Sequence, residues 1–425
     1  MAYPIARLGS ALRACVVVVL LALLVAGPAL ADEISGQVRD AVTGKSIAGA
    51  HLTSDDHVTQ TDARGEFRLK RTGGTLRVRA HGYRREEVAT GAPTGVIKLT
   101  PFAPKALYLS FFGVGAPALR GAALRLVHQT ELNAVVIDVK GDRGMVSYRS
   151  DVSLAAQVGA QDIITIPDVR GLLAELKLRG IYAVARIVVF KDNPLAQRRP
   201  DLAVKTPAGR LWRDREKLAW TDPFRRDVWE YNIALAVEAA RHGFDEVQFD
   251  YVRFPDAPGP GLAYSQPSTQ EGRVRAVEGF LAEARRRLVP HNVFLSVDIF
   301  GYVCWNPGDT GIGQRLETLV AHVDYISPMA YPSAYQFGIP GYRNPVAHPY
   351  EIVSRTLARA RDRTGLPPVR FRPWLQAFRD YAFDRRPFGA AEIRAQISAA
   401  EAFGADGWML WNPRNVYAPD GLKGE

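Results

Sequence analysis

Residues 244–255, F-D-E-V-Q-F-D-Y-V-R-F-P, form the stretch from which the fold of this chain is best predicted. Val247, Phe249 and Tyr251 alternate with polar residues, which is the period-two pattern of a β-strand. The closing proline ends the strand because it has no N–H to donate to a neighbour. Asp250 therefore lies near the carboxyl end of a strand, and in a parallel α/β barrel that end carries the active site. The alternative is an Asp that only ties a loop to the barrel rim.

Strand-like and helix-like segments alternate from residue 105 onward, which favours a parallel sheet with crossover helices. Strands are predicted at 106–112, 134–140, 182–190, 246–254, 293–302, 325–331, 369–378 and 407–412. Helices are predicted at 116–130, 168–179, 224–242, 269–289, 350–363 and 390–403. Eight alternating strands indicate a (β/α)8 TIM-type barrel over residues 105–425. A doubly wound open sheet is the competitor, but no G-x-G-x-x-G follows the first strand.

Residues 32–101 consist of short alternating segments separated by turn residues, which predicts a small all-β sandwich. Its motifs are Gly36-Gln37-Val38 with Asp40, Thr43-Gly44, Ile47-Ala48-Gly49-Ala50, Thr61-Asp62 with Gly65-Glu66-Phe67, and His81-Gly82-Tyr83. This pattern resembles the carboxypeptidase regulatory-like domain family. The resemblance implies an accessory module without chemistry of its own.

Residues 1–31 have the features of a signal peptide. Arg7 and Arg13 precede an apolar run at 14–26, and Ala29 and Ala31 supply small residues for cleavage. We therefore expect an exported protein, periplasmic or secreted, that meets a membrane only if this segment is not cleaved. The mature chain would keep Cys304 alone and could form no internal disulfide.

The composition is that of a globular protein, with 47% hydrophobic and 23% charged residues and a net charge of +10. The arginines are scattered along helix-like segments instead of being clustered, which argues against a nucleic-acid partner. No zinc-binding, nucleophilic-serine or phosphate-binding motif is present, so we expect no metal and no cofactor.

Two aspartates are the candidate catalytic residues. Asp250 and Asp298 lie toward the ends of neighbouring predicted strands, and aromatic residues follow each of them. Two carboxyl groups facing one pocket are the minimum equipment of a glycosidase: one protonates the leaving oxygen and the other acts as nucleophile or base. Asp298 could instead bridge strands through hydrogen bonds.

Further polar residues at the same strand ends are candidate substrate-binding residues. Asp138 and Lys140 end the second strand, and Lys140 could balance an acid there. The alternative is a salt-bridged rim with a structural role only. Arg186 lies inside an apolar strand and must be paired if it is buried. We predict that it pairs with Asp138 or Asp250, unless it points to the outer, helix-facing side. Arg253 could orient a carboxylate or bind an anionic substrate.

Strands six to eight end in Tyr331, Gln376, Trp411 and Asn412. Taken singly, each is more often a packing residue than a binding residue. Taken together at the rim that holds Asp250, they favour a sugar cleft.

The barrel motifs carry a second resemblance. The stretch 244–255, together with A-V-V-I-D-V-K, A-R-I-V-V-F-K-D and D-Y-I-S-P-M-A-Y-P-S, is similar to the bacterial putative glycosyl hydrolase domain family. This resemblance implies a barrel related to glycoside hydrolases. A more distant likeness to family 18 chitinases matches Asp250, Tyr331 and Trp411. Val252 stands where those enzymes have their acid Glu, and Pro332 replaces an Asp, so their substrate-assisted mechanism is not implied.

The sequence thus predicts a glycoside hydrolase that acts on a cell-envelope or extracellular polysaccharide through paired carboxylates. The alternative is a catalytically inactive barrel that binds polysaccharide or serves as a scaffold.

Overall fold

The computed structural model describes Met1 and residues 33–55, 57–70, 74–89, 95–257 and 261–424. Apart from Met1, the predicted signal peptide lies outside these residues. Within them, no helix is long and apolar enough to cross a membrane.

The first part of the described chain forms two small sheets. Their strands are β1 (Glu33–Asp40), β2 (His51–Ser54), β3 (His57–Gln60), β4 (Glu66–Lys70), β5 (Thr75–Arg79), β6 (Glu86–Ala89) and β7 (Val96–Leu99). One sheet has the order β4-β1-β7 and the other β3-β2-β5-β6. Alternate residues of both sheets, such as Val38, Leu52 and Leu76, form one buried core. The predicted all-β region is confirmed.

The remaining strands close into a parallel eight-stranded barrel, as predicted. They are β8 (Lys105–Leu109), β9 (Ala134–Lys140), β10 (Tyr182–Val188), β11 (Glu246–Asp250), β12 (Phe294–Phe300), β13 (Tyr325–Met329), β14 (Trp374–Gln376) and β15 (Trp408–Trp411). Most of them are shorter than predicted at the carboxyl end. In β11 the reason is Tyr251, whose φ of +49° is left-handed and turns the chain out of the sheet.

Helices lie between the strands. They are α1 (Phe111–Gly115), α2 (Pro117–Gln129), α3 (Ser153–Gln157), α4 (Val169–Leu178), α5 (Asn193–Arg198), α6 (Arg226–His242), α7 (Gln270–Leu288), α8 (Leu316–Leu319), α9 (Pro349–Thr364) and α10 (Ala390–Phe403). The six predicted helices correspond to α2, α4, α6, α7, α9 and α10. The short α1, α3, α5 and α8 were not predicted, because four to six residues give too little periodicity to recognise.

The chain after β15 runs back along the barrel without a described helix. The Tyr417 hydroxyl donates to the Tyr108 carbonyl at 2.9 Å, and the Glu131 amide donates to the Lys423 carbonyl at 2.8 Å. These contacts fasten the last segment over β8 and the α2–β9 connection, where a closing helix would otherwise lie.

The sandwich docks on the amino-terminal ends of the barrel strands. Arg79 forms an ion pair with Asp324, just before β13, at 2.9 Å, and both side chains are buried. Burial alone would raise the pKa of Asp324, but Arg79, His81 and Arg285 together hold that pKa well below its usual value. Arg85 pairs with Asp245, just before β11, at 2.9 Å. The sandwich therefore lies at the face of the barrel opposite the strand ends that carry the predicted site.

Candidate active site

Four ionisable side chains point inward at the carboxyl ends of neighbouring strands. Asp138, Arg186, Asp250 and Asp298 come from β9, β10, β11 and β12, and each is less than 10% exposed. The alternation along β10 explains this placement. Ala183, Ala185 and Ile187 face the helices, and Tyr182 and Val184 face the barrel interior, so Arg186 also faces inward.

Arg186 is the centre of the group. Its Nη1 donates to Asp138 Oδ1 at 2.7 Å, its Nη2 donates to Asp250 Oδ2 at 2.6 Å, and its Nε donates to the same oxygen at 3.1 Å. Nη2 also reaches Asp142 Oδ1 at 2.9 Å. The predicted pairing with Asp138 or Asp250 is confirmed, and it occurs with both. One cation thus faces three acids, which leaves an excess of negative charge in the cleft.

Both carboxyl oxygens of Asp138 accept hydrogen bonds from neighbouring residues. Its Oδ2 accepts from the Tyr108 hydroxyl at 2.7 Å and from the Phe111 amide at 3.0 Å, while Arg186 occupies Oδ1. Burial raises the pKa of Asp138 to about 6, although Arg186 opposes this shift. The hydrogen bonds make Asp138 a support for Arg186 and Tyr108.

Asp298 and Asp250 lie in opposite electrostatic settings. Burial, followed by the negative charge of Asp250, raises the pKa of Asp298 well above its usual value. Its Oδ1 accepts a hydrogen bond from Trp374 Nε1 at 2.8 Å. Asp250 is instead bound twice by the Arg186 guanidinium, and its Oδ1 accepts from the Tyr251 amide at 2.6 Å. The surroundings of Asp298 therefore disfavour its charged form, whereas Asp250 is held by a cation.

Aromatic rings enclose these acids. Tyr331 lies close enough to Asp298 and Asp250 that their charges, after burial itself, raise the pKa of its phenol well above the usual value. Trp411 stacks on Tyr108 with the ring centroids 3.9 Å apart and an interplanar angle of 13°. Both rings line a cavity that also contains Asp138, Asp142 and the 57%-exposed ring of Phe112. A flat apolar wall next to acids suits the faces of a sugar.

Lys140 is not in the cleft, contrary to the prediction. The register of β9 against β10 shifts between Asp138 and Lys140, and this irregularity turns Lys140 to the outer side of the barrel. There it is completely buried and pairs with Asp192 at 2.6 Å and with Asn232 Oδ1 at 2.8 Å. Strict alternation, which the sequence reading assumed, fails at this bulge.

Gln376 and Asn412 also differ from the prediction, because both fasten loops. Gln376 Nε2 donates to Ser333 Oγ at 2.7 Å and to the Phe378 carbonyl at 3.0 Å, so both amide hydrogens are used. Asn412 Nδ2 donates to the carbonyls of Ala377 at 2.7 Å and Val416 at 2.8 Å. Neither amide has hydrogens left for a sugar.

Arg253 lies beside the cleft instead of among its acids. Its guanidinium carbon is 4.5 Å from the ring centre of Phe300 and about 5 Å from those of Tyr251 and Trp220. It lines a groove at the same end of the barrel.

Sequence reasoning missed Tyr108, Phe112 and Trp374 as members of the site. Tyr108 was detectable in principle, since it alternates with apolar residues near the end of β8. Trp374 belongs to a strand of only three residues, in which no periodicity can show which side chain faces inward.

The fold and the site define a class of protein: a (β/α)8 barrel with an acidic, aromatic-walled cleft at its carboxyl-terminal rim, as in barrels that act on glycans. Residues 106–417 match the family described as "putative glycosyl hydrolase domain". This match covers most of the chain, so the chain belongs to that family. No curated protein matches it.

Several solved structures are similar. A hypothetical protein from Ruminiclostridium thermocellum is 37% identical, over 45% of this chain and 96% of the other, with a TM-score of 0.40. The PgaB (BpsB) glycoside hydrolase domain from Bordetella bronchiseptica is 16% identical, over 74% and 95%, with a TM-score of 0.51. A chitinase from Chromobacterium violaceum is 15% identical, over 73% and 93%, with a TM-score of 0.42. At 16% identity, the likeness to the PgaB domain concerns the barrel fold alone. The family match begins at residue 106, so the carboxypeptidase regulatory-like identity of the sandwich stays a prediction.

Proposed function

We propose that this protein hydrolyses glycosidic bonds of a cell-envelope or extracellular polysaccharide, with Asp298 as proton donor and Asp250 as nucleophile or base. The observation that carries the proposal is the contrast between the two carboxyl groups. Burial and the neighbouring charge raise the pKa of Asp298, whereas the Arg186 guanidinium donates two hydrogen bonds to Asp250. Acid-base hydrolysis requires one carboxyl that can donate a proton and a second that can act as nucleophile or base, and their different surroundings suit these two roles.

The proposed reaction uses the inward-facing carboxyl groups at the strand ends. Asp298 donates its proton to the glycosidic oxygen while Asp250 attacks the anomeric carbon or removes a proton from the attacking water. The positive charge that develops on the sugar ring is stabilised by the excess of acids around Arg186. Once it has lost its proton, Asp298 still accepts the hydrogen bond from Trp374 Nε1. Tyr331 remains a neutral phenol near both acids and can donate a hydrogen bond to the sugar.

The aromatic wall supports a polymeric substrate. Trp411 presents a flat ring beside the acids, and the largely exposed Phe112 extends the apolar surface toward solvent. The sandwich lies at the opposite face of the barrel and does not cover this rim.

A screen of the mature chain against a polysaccharide panel tests the proposal. We expect release of reducing sugar from at least one cell-envelope or secreted polysaccharide. The Asp250→Asn variant is the control and should release none. Product from both proteins, or from neither, would contradict the proposal.

The alternative is a barrel that binds polysaccharide without turnover. One observation favours it: the oxygens of Asp250 already accept three hydrogen bonds, from Arg186 and from the Tyr251 amide. Glycan binding that persists in Asp250→Asn, with no sugar released by the unchanged protein, would support this second function.

We also propose that the protein is exported. Cleavage after Ala31 should leave Asp32 as the new amino terminus, because small residues precede that bond and an apolar run lies upstream. Mass spectrometry of the protein isolated from its natural host checks this expectation. Retention of residues 1–31 would instead indicate a membrane-anchored protein.

A further inference from the structure

A second groove opens beside the acidic cleft, between the loops that follow β10 and β11. Its wall includes Trp212, Trp220, Tyr251, Lys191 and Arg253. Tyr251 directly follows Asp250, and its left-handed backbone places its ring in this wall. One residue of the groove's wall is therefore the immediate chain neighbour of the proposed nucleophile.

Arg253 is a buried cation that lacks a carboxylate partner. Only 8% of the residue is exposed, and Nη1 donates to the Phe254 carbonyl at 3.0 Å. Within the described residues, no acid lies close enough to form an ion pair with it. Burial lowers the pKa of the Arg253 guanidinium, and Tyr251, Asp250, Asp256 and Asp214 oppose this shift through their charges. Asp256 and Asp214 also line the groove, but neither forms an ion pair with Arg253. An unpaired buried charge is costly, so a partner from outside the chain would relieve that cost.

Lys191, in the same wall, differs from Arg253 because it has acidic partners within the protein. Its ammonium contacts Glu216 at 2.9 Å and Asp214 at 3.6 Å, so its charge is neutralised by the protein itself. The guanidinium of Arg253 is instead surrounded by the rings of Trp220, Tyr251 and Phe300. These rings hold its plane without competing for its N–H groups.

We propose that this groove is a subsite for a negatively charged substituent of the sugar chain, bound by Arg253. The substituent is a carboxylate, as in a uronic acid, or a sulfate or phosphate ester, since a guanidinium binds each of these oxyanions with two parallel hydrogen bonds. The inference rests on the proposed function and names its substrate class: an anionic polysaccharide. The exposed Arg215 of the same wall adds attraction for such a chain.

The test compares charged polymers with uncharged counterparts. Polygalacturonate and alginate are paired with their methyl esters, and dextran sulfate and dextran phosphate are paired with dextran. The carboxylate, sulfate and phosphate arms identify which oxyanion is bound. Binding is measured by calorimetry and cleavage by reducing-sugar release, both with the full mature chain.

Three variants accompany the wild type. Arg253→Gln removes the charge, and Arg253→Lys keeps the charge without the two-pronged geometry. The control is Arg286→Gln, which removes the same charge from an exposed position on α7. Thermal melting of each variant verifies that it is folded; we expect Arg253→Gln to fold, because it removes a buried charge that has no partner.

We expect at least one charged polymer to be preferred over its counterpart by tenfold or more. Arg253→Gln should raise the dissociation constant for that polymer about 10- to 100-fold and erase the preference, as expected for losing a charged hydrogen-bonding partner. Arg253→Lys should keep part of the preference, and Arg286→Gln all of it.

Other outcomes overturn the inference. They are a preference that survives in Arg253→Gln, a preference for the uncharged polymers, and failure to bind or cleave any charged polymer. Cleavage of uncharged chains alone would sustain the hydrolase proposal and reject the anionic subsite. Arg253-dependent binding without any cleavage would support the anionic subsite and reject the hydrolase proposal.

Discussion

Replacing Asp298 with asparagine is expected to lower kcat on the cleaved polysaccharide by about 10²- to 10⁴-fold, the range for loss of a general acid. Asparagine has the same shape and can still accept the hydrogen bond from Trp374 Nε1, but it has no acidic proton to donate. The substrate dissociation constant should change little. Steady-state kinetics with a polymer found in the panel measures the effect.

The pH dependence gives Asp298→Asn a second readout. The pKa of Asp298 is raised in the folded chain, so activity should fall as pH rises through that value. The same shift means that the folded state binds this proton more tightly than the unfolded state does. Wild-type stability should therefore fall as pH rises from the unfolded to the folded pKa, and the variant should lack this loss.

The control for this experiment is Asp362→Asn, which removes a carboxylate from an exposed position on α9. It should resemble the wild type in both activity and stability. An Asp298→Asn variant with wild-type kcat would remove Asp298 from the mechanism and leave another acid, such as Asp138, to be tested.

Replacing Arg186 with methionine is expected to destabilise the protein by about 3–5 kcal/mol, the usual cost of leaving buried charges without their partner. Asp138 and Asp250 would both lose their cation, since Arg186 contacts each at 2.7 Å or less. Urea denaturation measures the loss. Activity or glycan binding should fall further than expression, because the proposed nucleophile would lose the two hydrogen bonds that position it.

Two comparisons test the cause of this effect. Arg186→Lys keeps the charge, but a single ammonium cannot reproduce the guanidinium fork, so an intermediate loss is expected. Lowering the pH should restore part of the stability of Arg186→Met, because protonation neutralises the orphaned acids. A methionine variant with unchanged stability and unchanged activity would contradict the role given to Arg186.

The architecture was largely predictable from the periodicity of the sequence. The errors in the predicted strand ends have local causes. Every predicted barrel strand exists, because buried parallel strands leave long apolar runs. Their carboxyl ends were misplaced where the backbone departs from regular geometry. The left-handed backbone conformation of Tyr251 ends β11 early. A tyrosine side chain gives no sequence signal for that conformation.

The site was predictable where a residue conflicts with its surroundings. Arg186 could be placed because a guanidinium within an apolar strand needs acids, and Asp138 and Asp250 end the two neighbouring strands. Lys140 obeyed the same logic, but a bulge reversed its direction. The partners of Gln376 and Asn412 lie on loops whose approach depends on the whole barrel, so no local pattern could show that their amides were already engaged.

The sandwich covers the amino-terminal end of the barrel. Phe294 and Tyr325 are almost completely buried, with Arg79 lying over the first ring and His81 meeting the second edge-on. Removing the sandwich by truncation near residue 101 would expose these rings and Asp324 to water. The sandwich and the barrel are distinct in sequence pattern, but they share a buried interface. We therefore expect them to unfold together in one cooperative thermal transition.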